Sequence, residues 1–186
     1  MVTLTDIDII QLLRKNNLNQ DTLQEDVVEK LSQKGLKVAT AESCTGGLLS
    51  ERITRVSGSS AVFDCGICSY SNSIKEKVLG VEKETLAVLG AVSAETAIQM
   101  AEGVFKLSGA DIAVSTTGIA GPTGGTAEKP VGLVFMGVCT KEKAYAVKLT
   151  LGGEHQQNTR AYIRKLTTDA ALFTVLSECY HTEKIT

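Results

Sequence analysis

The sequence predicts an α/β domain whose mixed central β-sheet is covered by helices on both faces. Segments with apolar residues at helical spacing alternate along the chain with short runs rich in β-forming residues. The run at residues 131–139 is almost entirely apolar, which is typical of a strand buried on both faces. The last two predicted strands are separated by only a few residues, which indicates an antiparallel hairpin and therefore a mixed sheet.

Composition limits the classes of function and of cellular location. The chain has 186 residues, close to one ordinary domain, and a formal net charge of −2 with no basic cluster. We therefore expect no nucleic-acid partner, because binding to phosphate backbones needs clustered Lys and Arg. We expect no membrane partner and no signal peptide, since the apolar runs are short and Asp6 and Asp8 lie at the start. Five cysteines, an odd number, indicate reduced thiols and a cytoplasmic protein.

A short N-terminal appendage precedes the predicted domain. We assign residues 1–20 to the appendage and 21–180 to the domain. The appendage is either an arm that binds a partner or a segment that packs on its own domain. Thr22 and Glu25 form a capping box that predicts a helix start, and Gly35 suits the helix end.

The remaining elements follow from local patterns. The predicted strands are 36–41, 61–70, 111–117, 131–139 and 143–151. Helices are expected after residue 43, from about residues 72 and 82, after a cap at Ser93, and at the C-terminus. The helix after Ser93 carries an apolar stripe of Ala97, Met100, Ala101, Val104 and Leu107.

Two connections are unlike simple linkers. One is the strand-to-helix turn at residues 41–47. The other is the loop at residues 118–130, which holds both prolines and four of the 17 glycines, and whose backbone N–H groups are able to form an anion site. Ligands of α/β sheets bind at such strand ends. The alternative for the loop is an ordinary tight connection.

Ser43 is the candidate nucleophile in the first of these connections. The pattern predicts that a helix begins at Ser43, so that exposed N–H groups around Thr45, Gly46 and Gly47 are available to hold an oxyanion or a phosphate. The alternative is that Ser43 or Thr45 is only an N-cap residue. The doubled glycine argues for close approach of a ligand, since glycine is unfavourable within a helix.

A serine nucleophile needs a base, and Lys75 is the candidate. His155 and His181 both lie near the C-terminus and are not obviously placed to serve. A lysine serves as a base when desolvation lowers its pKa, and Tyr70 is placed to relay or orient the proton. The alternative is that Lys75 is an ordinary exposed lysine on a helix.

Cysteine offers a rival nucleophile but no metal site. Cys44 neighbours Ser43 at a predicted helix N-terminus, where thiolates are stabilised. Cys65 and Cys68 are three apart on a predicted strand, so they point to opposite faces. A second ligand pair with zinc spacing is missing, and we predict no metal site.

Six segments, in this order, resemble the CinA C-terminal domain family: TAESCTGGLLSERIT, GSSAVF, YSNSIKEKVLGV, GAVSAETA, STTGIAGPTGG and EKPVGLVF. The resemblance runs from about residue 22 to about residue 177. It implies a three-layer α/β/α sandwich. Enzymatic members of this family are nicotinamide mononucleotide deamidases, and their Ser-Tyr-Lys set matches Ser43, Tyr70 and Lys75.

The resemblance implies hydrolysis of a nucleotide carboxamide without a cofactor, in a homo-oligomer, most simply a dimer. The substrate is the small-molecule partner. We expect its phosphate to bind in the loop at residues 118–130, called the glycine-rich loop below. The predicted substrate-binding residues are Gly118, Ala120, Gly121, Thr123, Gly124, Gly125 and Arg164. Family members tend to have Gly-Asp-Arg before the last helix, where this chain has Gly153-Glu154-His155. Either Arg164 or Arg160 matches a later family arginine. The alternative function is a non-catalytic CinA-like protein that binds a nucleotide or contacts competence or repair proteins.

Overall fold

The computed structural model describes residues 1–152 and 160–182, and it has the predicted α/β fold. The strands are β1 (Val2–Thr5), β2 (Val38–Glu42), β3 (Phe63–Cys68), β4 (Ile112–Gly118), β5 (Leu133–Thr140) and β6 (Ala144–Thr150). The helices are α1 (Asp6–Lys15), α2 (Leu23–Lys34), α3 (Leu48–Thr54), α4 (Asn72–Leu79), α5 (Lys83–Val88), α6 (Ala94–Ser108) and α7 (Arg160–His181), with a 3₁₀ turn at Ser59–Ala61.

The six strands form one mixed sheet in the order β1-β6-β5-β4-β2-β3. β2 lies between β3 and β4 and is parallel to both. β5 is antiparallel to β4 and to β6, which confirms the predicted hairpin. β1 is parallel to β6 at one edge of the sheet.

Alternate residues of the strands pack into two apolar clusters on the two faces of the sheet. Val38 and Ile112 join the cluster beneath α1, α2, α3 and α7, whereas Ala39 and Ala113 join the cluster beneath α6. This period of two is expected for strands covered on both faces. The helices therefore flank the sheet on both sides.

Several local predictions are confirmed and two are wrong. Gly35 ends α2 in the left-handed conformation, with φ of 64°, and Ser93 caps α6 by accepting from Thr96 N–H. The predicted capping box of Thr22 is wrong, because the Thr22 side chain makes no capping hydrogen bond. Leu107, predicted on the buried stripe of α6, is 59% exposed in the last turn of the helix.

Residues 1–20 pack against the rest of the domain. Residues 2–5 form β1, and a capping box of Thr5 and Asp8 starts α1. Ile9 and Leu13 are buried in the same apolar cluster as α7. Packing on its own domain, one of the two alternatives for this segment, is thus observed. Binding of a partner by this segment stays a prediction.

No helix within the described part of the chain is both long and apolar enough to span a bilayer.

Candidate active site

The carboxyl ends of three parallel strands meet at one edge of the sheet. Ser43 directly follows β2, Tyr70 and Lys75 follow β3, and the glycine-rich loop follows β4. Since β2 lies between β3 and β4, the chain leaves β2 next to a neighbouring strand on each side. Such strand ends form the crevice in which α/β proteins bind ligands.

Ser43 and Lys75 are in direct contact. Lys75 lies in the first turn of α4, and its Nζ is 3.0 Å from Ser43 Oγ. The same Nζ donates to the carbonyl oxygen of Ser69 over 2.7 Å. Lys75 is only 1% exposed. The alternative of an ordinary exposed helix lysine is therefore wrong.

Burial lowers the pKa of Lys75 below its usual 10.5. Desolvation is the largest cause, because a low-dielectric surrounding disfavours the charged ammonium. Within residues 1–152 and 160–182, no carboxylate lies in ion-pair distance of its Nζ. Burial thus shifts Lys75 towards the neutral amine, in hydrogen-bond distance of a serine hydroxyl, and general-base activation needs a neutral amine in that position.

The turn that carries Ser43 is held by Glu42, which the sequence analysis did not single out. Helix α3 begins at Leu48, and not at Ser43 as predicted. The buried Glu42 carboxylate accepts from the N–H groups of Gly47, Leu49 and Ser50 at 2.9, 3.0 and 2.8 Å, and from Ser50 Oγ at 2.6 Å. An acidic side chain here satisfies the exposed donors and the dipole of the helix start.

This cap changes what the predicted oxyanion donors are able to do. The Gly47 N–H is already engaged by Glu42, so it is not available to a ligand in this structure. The Gly46 N–H makes only a long turn contact of 3.2 Å to the Ser43 carbonyl oxygen. Thr45 and Gly46 therefore stay predicted donors, and Gly47 does not.

Cys44, the rival nucleophile, is buried. It is 5% exposed, and desolvation raises the pKa of its thiol to about 12. A thiol with this pKa holds almost no thiolate near neutral pH. The helix N-terminus that was expected to stabilise a thiolate starts at Leu48, four residues further along the chain.

Thr116 and Arg164 also hold the turn that carries Ser43, in addition to Glu42. Thr116, on β4, accepts from Ser43 N–H through its carbonyl oxygen over 2.8 Å. Its hydroxyl lies 2.7 Å from the hydroxyl of Thr45, and both residues are buried. Arg164, on α7, donates twice to the Thr45 carbonyl oxygen, from Nε at 2.9 Å and from an Nη at 2.6 Å.

Tyr70 lies on the rim of the site and not between Ser43 and Lys75. It is 62% exposed, and its hydroxyl accepts from Arg160 over 2.6 Å. Arg160 also donates to the Gly121 carbonyl oxygen over 3.1 Å. In the described residues no hydrogen bond joins Tyr70 to Ser43 or Lys75. Lys75 contacts Ser43 directly, and a proton relay through Tyr70 stays a prediction.

The glycine-rich loop reaches the site through Arg160. Thr123, Gly124 and Gly125 are exposed, whereas Ala120 is buried in the core and has only its backbone to offer a ligand. Gly121 has φ of +74°, and an added Cβ would stand 2.6 Å from Val131 Cγ1, so a side chain is excluded there. Gly118 still pairs with Val134 as the last residue of β4.

Both candidate arginines thus contact segments that follow the parallel strands. Arg164 holds the nucleophile turn, and Arg160 joins the glycine-rich loop to Tyr70. The Gly153-Glu154-His155 segment lies outside the described residues. That one of these two arginines matches the family pattern stays a prediction.

The five cysteines all lie within the described residues and are free thiols. Cys65 packs against the apolar cluster under α6 and Cys68 is exposed, so the two point to opposite faces as predicted. Between residues 1 and 152 and from 160 to 182, no three His, Cys, Asp or Glu side chains are grouped closely enough to hold a metal ion.

Comparison with known proteins shows the family. The model of the CinA C-terminal domain matches residues 20–179. The chain belongs to this family. It is 53% identical over 150 residues to a putative competence-damage inducible protein of Thermoanaerobacter pseudethanolicus, with 80% of this chain and 36% of that protein covered. It is 54% identical over 140 residues to a CinA-like protein of Kosmotoga olearia, covering 75% and 34%. The CinA domain chain thus spans about a third of the length of these curated relatives.

Solved structures of the family share the fold. A competence/damage inducible protein from Agrobacterium tumefaciens is 42% identical, with a TM-score of 0.80 and coverage of 85% of this chain and 94% of that chain. A CinA superfamily protein from Klebsiella pneumoniae is 31% identical, with a TM-score of 0.81 and coverage of 88% and 99%.

The sequence analysis missed Glu42 and Thr116, which differ in how visible their roles are in the sequence. Glu42 carried a usable signal, because it is an acidic residue at the end of a buried strand and directly before a turn. Thr116 carried none, since nothing in the sequence shows that its hydroxyl meets that of Thr45, 71 residues away.

Proposed function

We propose that this CinA domain is an amidohydrolase that converts nicotinamide mononucleotide to nicotinate mononucleotide and ammonia. The observation that carries the proposal is the buried Lys75 amine, 3.0 Å from Ser43 Oγ and with its pKa lowered by desolvation. Perturbed lysines next to a hydroxyl in a cleft are typical of nucleophile activation. The substrate is the one that the family resemblance implies.

The acylation step uses Ser43 and Lys75. The neutral Lys75 amine takes the proton of Ser43 while Ser43 Oγ attacks the carboxamide carbon of the substrate. The carbonyl oxygen becomes an oxyanion beside the N–H groups of Thr45 and Gly46, where one donor contributes about 3 kcal/mol to transition-state stabilisation. Lys75 then returns its proton to the leaving nitrogen, and ammonia departs.

The deacylation step repeats the same chemistry with water. Lys75, neutral again, takes a proton from water, and the hydroxide attacks the ester carbon of the acyl-enzyme. The Ser43 oxygen leaves with the proton from Lys75, and the nicotinate product is released. Every proton transfer is assigned to one amine, so Tyr70 is not needed as a carrier.

The substrate phosphate belongs, in this proposal, between the glycine-rich loop and Arg160. Arg160 already lies at Gly121 and brings a permanent positive charge to a loop with exposed backbone at residues 123–125. Tyr70 is exposed beside Arg160 and offers an aromatic face to the nucleotide. These residues bind and orient the substrate and take no part in proton transfer.

Ammonia release tests the proposal. The purified protein is incubated with nicotinamide mononucleotide, and ammonia and nicotinate mononucleotide are measured, with Ser43→Ala as the control. We expect the two products in equal amounts from the wild type and neither from the variant. Binding of the nucleotide without ammonia release would instead favour the non-catalytic, nucleotide-binding alternative.

A further inference from the structure

The first 19 residues lie outside the part of the chain that matches the CinA domain model. They nevertheless extend the sheet by β1 and pack α1 against α7, with Ile9 and Leu13 in the core. Helix α7 is the element whose first two turns carry Arg160 and Arg164. The segment preceding the CinA domain is thus in contact with an element of the candidate active site.

Asp6 connects the N-terminal segment to α7 through specific hydrogen bonds. It is the first residue of α1 and is 1% exposed. Its two carboxylate oxygens accept from the Gly152 N–H at 2.9 and 3.0 Å, and the Tyr162 hydroxyl donates to Oδ2 over 3.1 Å. Gly152 follows β6 and Tyr162 lies between the two arginines of α7, so one buried carboxylate holds both ends of the connection from β6 to α7.

The exit of the glycine-rich loop also lies beside Asp6. A cavity of about 290 Å³ is lined by Thr5, Asp6 and residues 130–133 on the loop side. Within this stretch Val131 packs where a side chain of Gly121 would be, and the Gly121 carbonyl accepts from Arg160. Asp6 therefore shares a cavity with Val131, which packs against the residue that accepts from Arg160.

We propose that Asp6 is a positioning residue that fixes the first turn of α7, so that Arg160 stays at Gly121 and Tyr70. Loss of a hydrogen bond to a buried carboxylate is expensive, because the remaining polar atoms lose their partners. Arg164 depends less on this contact, since it is one turn further into α7 and is also held by the Thr45 carbonyl. The nature of the bound ligand rests on the proposed function, but the role of Asp6 in ordering α7 does not.

The test compares Asp6→Asn with Asp8→Asn. Asp8 is on the same helix and carries the same charge, but its carboxylate caps Thr5 and contacts neither Gly152 nor Tyr162. Asparagine at position 6 keeps the shape but turns one acceptor into a donor that faces other donors. We expect amide hydrogen exchange of residues 164–167, whose acceptors are the carbonyl oxygens of the first turn of α7, to rise about tenfold in Asp6→Asn and to stay near wild type in Asp8→Asn.

Kinetics provide the second measurement. With nicotinamide mononucleotide as substrate, Asp6→Asn should raise KM about tenfold and leave kcat within about twofold, because Arg160 binds and does not react. Unchanged exchange at residues 164–167 would overturn the proposal. Raised exchange with an unchanged KM would also overturn it, since Asp6 would then only stabilise the fold.

Failure of this proposal and failure of the proposed function give different results. If the wild type releases no ammonia, the proposed function fails, and the exchange measurement still decides whether Asp6 orders α7. If Asp6→Asn does not fold, Tyr162→Phe removes one donor to the carboxylate and carries the same measurements. Faster exchange at residues 164–167 in Tyr162→Phe would support the proposal, and wild-type exchange there would contradict it.

Discussion

At the scale of single residues, a hydroxyl and a thiol stand next to each other on one turn, and their surroundings separate their roles. Ser43 faces the Lys75 amine, whereas Cys44 is buried with its pKa raised to about 12. We expect Ser43→Ala to lower kcat by at least about 1,000-fold, and Cys44→Ser to keep most activity. Ammonia assays and urea unfolding of both variants check this. An essential Cys44 with a dispensable Ser43 would show that the nucleophile is wrongly assigned.

The base assignment predicts a pH dependence with a definite sign. In the proposed mechanism Lys75 acts only when neutral, and burial lowers its pKa below 10.5. We therefore expect kcat/KM to rise with pH through an ionisation below that of a free lysine. Lys75→Arg should be almost inactive, because a guanidinium does not lose its proton near neutral pH. An arginine variant with near wild-type kcat/KM would mean that position 75 supplies only positive charge.

The same burial predicts that Lys75 costs stability. A lysine whose pKa is lowered on folding binds fewer protons in the folded state, so stability is reduced below the lowered pKa and recovers as pH rises towards 10.5. Methionine has a similar unbranched shape and no charge. Lys75→Met should therefore be inactive but melt at a higher temperature than wild type at pH 7, with the gain shrinking at high pH. A lower melting temperature at pH 7 would show that the bond to Ser69 outweighs desolvation.

At the scale of elements, Glu42 joins the end of β2 to the start of α3 and so fixes the turn between them. Glu42→Gln leaves one acceptor and puts an amide NH₂ group against backbone donors. We expect a loss of about 2 kcal/mol in unfolding free energy and at least a tenfold lower kcat. Glu51→Gln is the matched control, since Glu51 is on α3 and, among the described residues, its carboxylate pairs with exposed Arg55 and with no other cation. Equal kinetic effects of the two variants would rule out a specific role for Glu42.

How far the sequence predicts an element depends on how local its causes are. Helix α2 ends at Gly35 because a left-handed residue is needed there, and that signal is visible in the sequence. The start of α3 was misplaced because its cap comes from the preceding strand. β1 was missed because four residues carry little pattern, and their strand conformation depends on pairing with β6, more than 140 residues away.

The contacts of the candidate site also differ in how far the sequence predicts them. Contact between Ser43 and Lys75 was predictable, because both residues follow neighbouring parallel strands and such strand ends meet at one edge. The contact of Tyr70 with Arg160 was not, since it joins residues 90 positions apart and depends on how α7 packs. Tyr70 was placed beside the nucleophile by its position in the sequence, but its side chain lies on the rim.

At the scale of the whole molecule, α6 sets the position of α4, the helix that carries Lys75. Small residues let α6 approach its neighbours closely. A Cβ on Gly137 of β5 would stand 2.1 Å from the Ala97 carbonyl oxygen, and a Cβ on Gly103 of α6 would stand 1.9 Å from the Leu79 carbonyl oxygen. Leu79 is the last residue of α4, the helix whose first turn carries Lys75. We therefore expect the distance between Lys75 and Ser43 to depend on the packing of α6 against α4.

Gly103→Ala tests this dependence. By helix propensity alone, alanine would stabilise α6 by up to about 1 kcal/mol. The new Cβ, however, meets backbone and not a flexible side chain, so α4 and α6 must separate, which costs about 1–3 kcal/mol. We expect net destabilisation in urea and a fall in kcat of about tenfold or more, because a 1 Å displacement of a catalytic group is enough for such a loss. Lys106→Ala, an exposed position on the same helix, should change neither quantity. If Gly103→Ala loses stability but keeps its kcat, α4 adjusts without moving Lys75, and the alignment of base and nucleophile is set by the strand ends alone.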